Sequence, residues 1–149
     1  MDKHERLKKM KQENRKWFFL RVSFAIPGGI LVFLLLQTNT QELLYGGLLV
    51  LTTFLYGSVL QREYRFMSSF TERTRAKRFI SMQYALDYVL ILFVGLVFPW
   101  LLKLEAVSWL PFIGFTVGIF ILSVSERAFD EKVRQSDPEQ PMRREVRGW

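Results

Sequence analysis

The chain has 149 residues, half of them hydrophobic, with 21 Lys and Arg against 14 Asp and Glu for a net charge of +7. It has no cysteine, which excludes a disulfide framework, a thiolate metal site and a cysteine nucleophile. A soluble domain would intersperse its charges with apolar residues along each element. Here they fall in blocks, which points to an all-α integral membrane protein and leaves no length for a separate soluble domain.

Residues 1–16 form a basic tail with seven cations, Lys3, Arg6, Lys8, Lys9, Lys11, Arg15 and Lys16. The single histidine, His4, lies there among solvated charges, so no metal is expected, and nothing implies a cofactor. The first apolar run, Trp17–Leu36, follows this basic stretch as in a signal peptide. It is too long for an h-region, and LLLQTNTQ is a poor cleavage site, so it reads as a retained span.

Inside it stands AIPGGI. Pro27 removes the donor that would serve the Ser23 carbonyl, and Gly28 and Gly29 each weaken a helix by ~1 kcal/mol. Transporters use such breaks to bind ions and substrates, with polar groups converging on them. Here only Thr52, Thr53 and Thr116 lie near mid-span and no acid does, so a kinked helix notched for close packing is the favoured reading.

The connection QTNTQE carries no cation. The second span, Leu43–Leu60, places Gly46, Thr53 and Gly57 on one stripe of small residues, suited to helix packing. A basic amphipathic linker, residues 61–82, follows with Arg62, Arg65, Arg73, Arg75, Lys77 and Arg78. Tyr64, Met67, Phe70 and Thr74 recur at helical spacing. The pattern predicts a helix lying in the headgroup layer, aromatic side down, its cations on anionic lipid or a partner protein. The favoured reading of the same cations is simpler, the inside stop signal of a hairpin, with a docking surface for a partner next. No nucleic-acid-binding motif accompanies them, so no such partner is expected.

The third span is read as about Gln83–Leu102, with Lys103 in the next connection, and the fourth as Ala106–Ser125. Gly114 and Gly118 make a GxxxG there, again read as helix packing. Trp17, Tyr45, Trp100 and Trp109 fall where interfacial belts form. In residues 126–149, ERAFDEKVRQ extends the last helix, SDPEQP stops it, and the remaining polar residues are expected to be disordered.

All four runs approach the ~20 residues that cross a ~30 Å hydrocarbon core. Cations crowd the first tail, the linker and the last tail, which holds six. The charge rule therefore predicts two in–out–in hairpins, 17–60 and 83–125, in a bacterial cytoplasmic membrane with both termini cytoplasmic. Arg21 and Asp87 each lie four residues into a span, ~6 Å deep at 1.5 Å per residue. The short Asp87 side chain cannot snorkel, so an Arg21–Asp87 ion pair joining the first and third helices is predicted.

No nucleophile–base pair, HExxH, P-loop or paired carboxylate appears, so an enzyme is not expected. The leading reading is a non-enzymatic accessory, assembly or regulatory subunit of a larger membrane complex. Its partners would be the bilayer, with anionic lipid at the cytoplasmic face, and another membrane protein or a second copy. The alternative is a small transporter or lipid-carrier flippase, dimeric through the GxxxG stripe; membrane permeabilisation stands third. The plan of two hairpins about a basic linker resembles the small bacterial GtrA-like proteins, linked to moving lipid-carried sugars. It also resembles the ATP synthase protein I group, associated with rotor-ring assembly. QREYRF and RAFDEK resemble the basic-aromatic hairpin ends of the former, whose asparagine–arginine–aromatic signature is absent, and no site residue is carried across.

Overall fold

The computed structural model describes residues 2–38, 40–103 and 109–147, and within them every regular element is helical. The helices are α1 (Lys3–Gln37), α2 (Glu42–Ser68), α3 (Thr74–Leu92), α4 (Phe98–Lys103), α5 (Leu110–Ser136) and α6 (Arg143–Arg147), with a π-helical turn, Phe93–Val97, joining α3 to α4. Four stretches, α1, α2, α3 through α4, and α5 from Phe112, are long and apolar enough to cross a membrane. The expected start of the last span at Ala106 lies outside the described residues.

The helices run well past the apolar segments. At 1.5 Å per residue the 35 residues of α1 reach about 52 Å, far beyond a ~30 Å core. Asp2 starts the helix by accepting from the Lys3 amide at 2.7 Å, so the basic tail is helix too. No proline or glycine interrupts the chain between Leu60 and Ser68, and α2 continues straight through the expected linker. After a short turn α3 begins at Thr74. A separate helix lying in the headgroup layer is therefore not formed, because an uninterrupted ladder keeps the backbone bonded without a turn.

The main buried cluster is assembled from these extensions. Met10, Leu60, Met67, Ile80, Tyr84, Val133 and Val146 pack together, with Leu7, Tyr64, Phe70 and Phe79 against them. Most of these residues lie in segments that read as tails or linker. The C-terminal segment differs from the expected disorder for the same reason: Met142 and Val146 are each 5% exposed and α6 docks on α1. Lys3 binds Glu145 at 2.9 Å, Arg6 meets Asp137 and Glu139 at 3.6 and 3.3 Å, and Gln140 donates to the Met67 carbonyl at 3.2 Å. The molecule thus has a folded, charged end.

The apolar stretches bury little. In the α5 window no residue is buried, and in those of α1 and α3–α4 almost none is. α1 packs on α2, α2 on α3, and α3 on α5. At the far end Lys103 binds Glu42 at 2.5 Å and donates to the Leu35 and Thr38 carbonyls, which α1 leaves without helical partners.

Candidate functional site

On α2, Thr53, Tyr56, Leu60, Glu63 and Met67 recur at three- and four-residue spacing, a stripe that places a carboxylate on the inner face. Glu63 is 1% exposed. Arg21 of α1 binds it through two nitrogens, Nε donating to Oε2 at 3.0 Å and Nη2 to Oε1. The Tyr84 hydroxyl of α3 donates to Oε1 at 2.8 Å.

One turn beyond Tyr84, Asp87 accepts from Arg143 Nη2, and Arg147 Nη2 stands 3.7 Å away. Glu126 of α5 accepts from Arg147 Nη1 at 3.3 Å and lies 3.6 Å from Arg143 Nε. The Arg143 guanidinium also covers the Tyr84 ring at 4.5 Å from its centroid. Asp130 holds the start of α6 from outside, accepting from the Arg143 and Arg144 amides at 3.1 and 3.3 Å and from Gln83 Nε2 at 2.8 Å. Three cations, Arg21, Arg143 and Arg147, face three carboxylates, Glu63, Asp87 and Glu126, across five helices.

Burial works against the charged form of Arg143, but Asp87 and Glu126 outweigh it and its pKa is raised. Arg147 goes the other way: burial, then repulsion from Arg143 and Arg21, depresses its pKa despite Asp87 and Glu126. Among the described residues no three His, Asp or Glu side chains are grouped to hold a metal. Each carboxylate of the network is met by donors from other helices, which ties those helices together.

The structure thus changes the predicted ion pair. Arg21 and Asp87 do enter one network, but Arg21 binds Glu63 and Asp87 binds Arg143. The prediction placed Glu63 outside the span because it follows Leu60 in a charged stretch. It set Arg143 and Arg147 aside as tail. The signal for Glu63 was its place on the Thr53–Met67 stripe; nothing local announced that the arginines of RREVR fold back.

The AIPGGI stretch is neither a break nor a packed notch. α1 is helical through Pro27, which faces outward, and the Ser23 hydroxyl donates to the Phe19 carbonyl at 2.9 Å. A Cβ added to Gly28 would sit 3.9 Å from Thr52, ordinary contact, and one added to Gly29 would meet nothing within 4 Å. Gly46 likewise faces open space. Of the expected packing positions, a Cβ added to Gly57 would clash with the Tyr88 ring, one added to Gly114 would come 3.4 Å from Phe93, and one added to Gly118 would come 3.2 Å from Leu90. The GxxxG stripe therefore lies against Leu90 of α3 and Phe93 of the π turn within the chain. Gly95, absent from the small-residue stripes, is also tightly placed: its Cβ would be 2.7 Å from Thr53 Oγ1, second only to Gly57 among the described glycines. It lies in the π turn that precedes Pro99, where the missing proline amide changes the ladder register.

Thr53 is buried, its hydroxyl satisfied by the Leu49 carbonyl at 2.8 Å. Arg62, Arg65, Arg73, Arg75, Lys77 and Arg78 are all exposed around the α2–α3 turn, with Arg73 also donating to the Ser136 carbonyl at 2.8 Å. No protein family, curated protein or solved structure matches this chain.

Proposed function

We propose that this protein is a non-enzymatic accessory subunit that helps a larger complex of a bacterial cytoplasmic membrane assemble or be regulated. In this reading the charged end, with both chain ends and the α2–α3 turn, faces the cytoplasm. One observation carries it: the apolar stretches of α1, α3–α4 and α5 bury almost nothing within the chain, while the charged end is tightly closed. A protein held together at one end presents its long apolar faces, with Phe33, Phe54, Phe112 and Phe120 all more than half exposed, to whatever surrounds them. Partner helices would pack there, and the six exposed cations would rest on anionic lipid or an acidic partner surface. The dimeric-transporter reading has less support, since its GxxxG seam is occupied by α3.

A photoreactive residue in place of Phe120 or Phe54, irradiated in native membranes, tests the proposal. A discrete protein adduct of one mass, reproducible from both positions, is the expected result. Adducts with lipid alone, or only with a second copy of this chain, would overturn it.

A further inference from the structure

One face of α1 runs from Asn14 through Phe18, Arg21 and Ala25 to Gly28, Gly29 and Val32, and two cavities open along it. The upper one, about 370 Å³, is lined by Asn14, Phe18, Arg21, Val22 and, from across the gap, Tyr56 and Arg147. The lower one, about 300 Å³, lies over Gly28 and Gly29, with Thr52 and Gly95 on its far wall. Ala25 and Tyr56 line both, so the two are halves of one groove.

The halves differ in chemistry. Arg21 and Arg147 are the ionised side chains lining the upper half; their carboxylate partners, Glu63, Asp87 and Glu126, lie outside its lining. Arg147 Nε is buried with no hydrogen-bond partner among the described residues. Burial, then Arg143 and Arg21, lower the pKa of Arg147, so its guanidinium and that of Arg21 are like charges close enough to repel across the upper half. The lower half is lined mainly by apolar side chains, and its Thr52 and Thr53 hydroxyls are bonded to the Leu48 and Leu49 carbonyls at 2.8 Å. From Arg21 to Val32 the groove descends about 16 Å at 1.5 Å per residue, close to half of a ~30 Å hydrocarbon core.

The geometry points to a binding site for one anionic phospholipid, its phosphate between Arg21 and Arg147 and a chain laid along α1 over Gly28 and Gly29. Guanidiniums bind phosphate oxygens with strong, charge-assisted hydrogen bonds. The open notch at Gly29, which no protein atom fills, is the space the chain takes. The site is independent of whether the protein has a protein partner.

The test is lipid retention by the full chain, purified in mild detergent and read by native mass spectrometry with an equimolar mixture of phosphatidylglycerol and phosphatidylcholine. One phosphatidylglycerol per chain should be retained, at least fivefold over phosphatidylcholine. Gly29→Leu, whose added Cβ meets nothing within 4 Å, should keep the fold and lower retention at least fivefold. Gly46→Leu, equally open but outside the groove, should leave it unchanged. Arg147→Gln should abolish the preference for the anionic headgroup. Equal retention of both lipids by the native chain, or undiminished retention by a folded Gly29→Leu variant, would overturn the proposal. Thermal stabilisation by glycerol phosphate equal to that by phosphatidylglycerol would also sink it, because the chain-binding half would then contribute nothing. If Arg147→Gln fails to fold, the Gly29→Leu and lipid-mixture results decide.

Discussion

Arg143 lies over the ring of Tyr84, 4.5 Å from its centroid, while its guanidinium binds Asp87 one helical turn away. A residue 56 positions after Asp87 in the chain thus covers α3 from above, and the charged end of the molecule is closed by its own last described helix.

The Arg21–Glu63 contact should dominate the stability of that end. Glu63→Gln and Arg21→Ala are each expected to cost about 3–5 kcal/mol, since each strands a buried charge. The double variant should cost clearly less than the sum. A cycle between Arg21 and Asp87, which touch different partners, should show the smaller coupling. Unfolding in mild detergent measures both cycles, and a larger Arg21–Asp87 coupling would contradict the described pairing.

Docking of α6 gives a second expectation. Met142→Ala should destabilise by about 2–5 kcal/mol, as for a buried methionine elsewhere. Arg144→Ala, on the exposed side of the same helix, should stay within about 0.5 kcal/mol. Hydrogen exchange of the amides from Gln140 to Arg147 would show fast, unprotected exchange if the segment were unstructured.

The glycines should separate into two classes. Gly57→Ala and Gly95→Ala push a methyl group into Tyr88 and Thr53 and should cost about 1–3 kcal/mol. Gly46→Ala meets open space inside a helix and should be neutral or stabilising by up to ~1 kcal/mol. Melting temperatures of the three variants in one detergent provide the comparison.

Acid should loosen the contact between α6 and α1. Partial burial raises the Glu145 pKa, but the Lys3 ammonium and the Met142 amide outweigh it and hold the carboxyl below the ordinary glutamate value. A depressed folded pKa adds stability that is fully present above the unfolded value of ~4.3 and is lost as pH falls through the folded value. The stability difference between the native chain and Glu145→Gln should therefore be constant at neutral pH and shrink below about pH 4. A difference that grew on acidification would reverse the sign of this linkage.

The four apolar helices were legible because hydropathy over twenty residues is a strong local signal. The buried core was not, since Met10, Met67, Ile80, Val133 and Val146 each sit among charges, and only the tertiary approach of five helices brings them together. The charge network shows the same divide. Depth alone placed Arg21 and Asp87 at one level, which follows from counting residues from a span edge. Choosing their partners required knowing that α2 stays helical past Leu60 and that RREVR returns to the bundle. Gly57, Gly114 and Gly118 were found by spacing, whereas Gly46 has the same spacing and faces open space, because a stripe does not say which of its members meets a neighbour.

The return of Arg143 to Asp87 has a consequence for how the chain is made. Synthesis runs from the N-terminus at ~5–20 residues per second, so the 56 residues between them take about 3–11 s. Through that interval α3 exists with its acidic side chain and without the cation that neutralises it. Until those residues are made, Asp87 is without the Arg143 and Arg147 contacts that the folded chain gives it. The charged end therefore closes only once the C-terminal helix has been made, so its Asp87 contacts are among the last of the network to form.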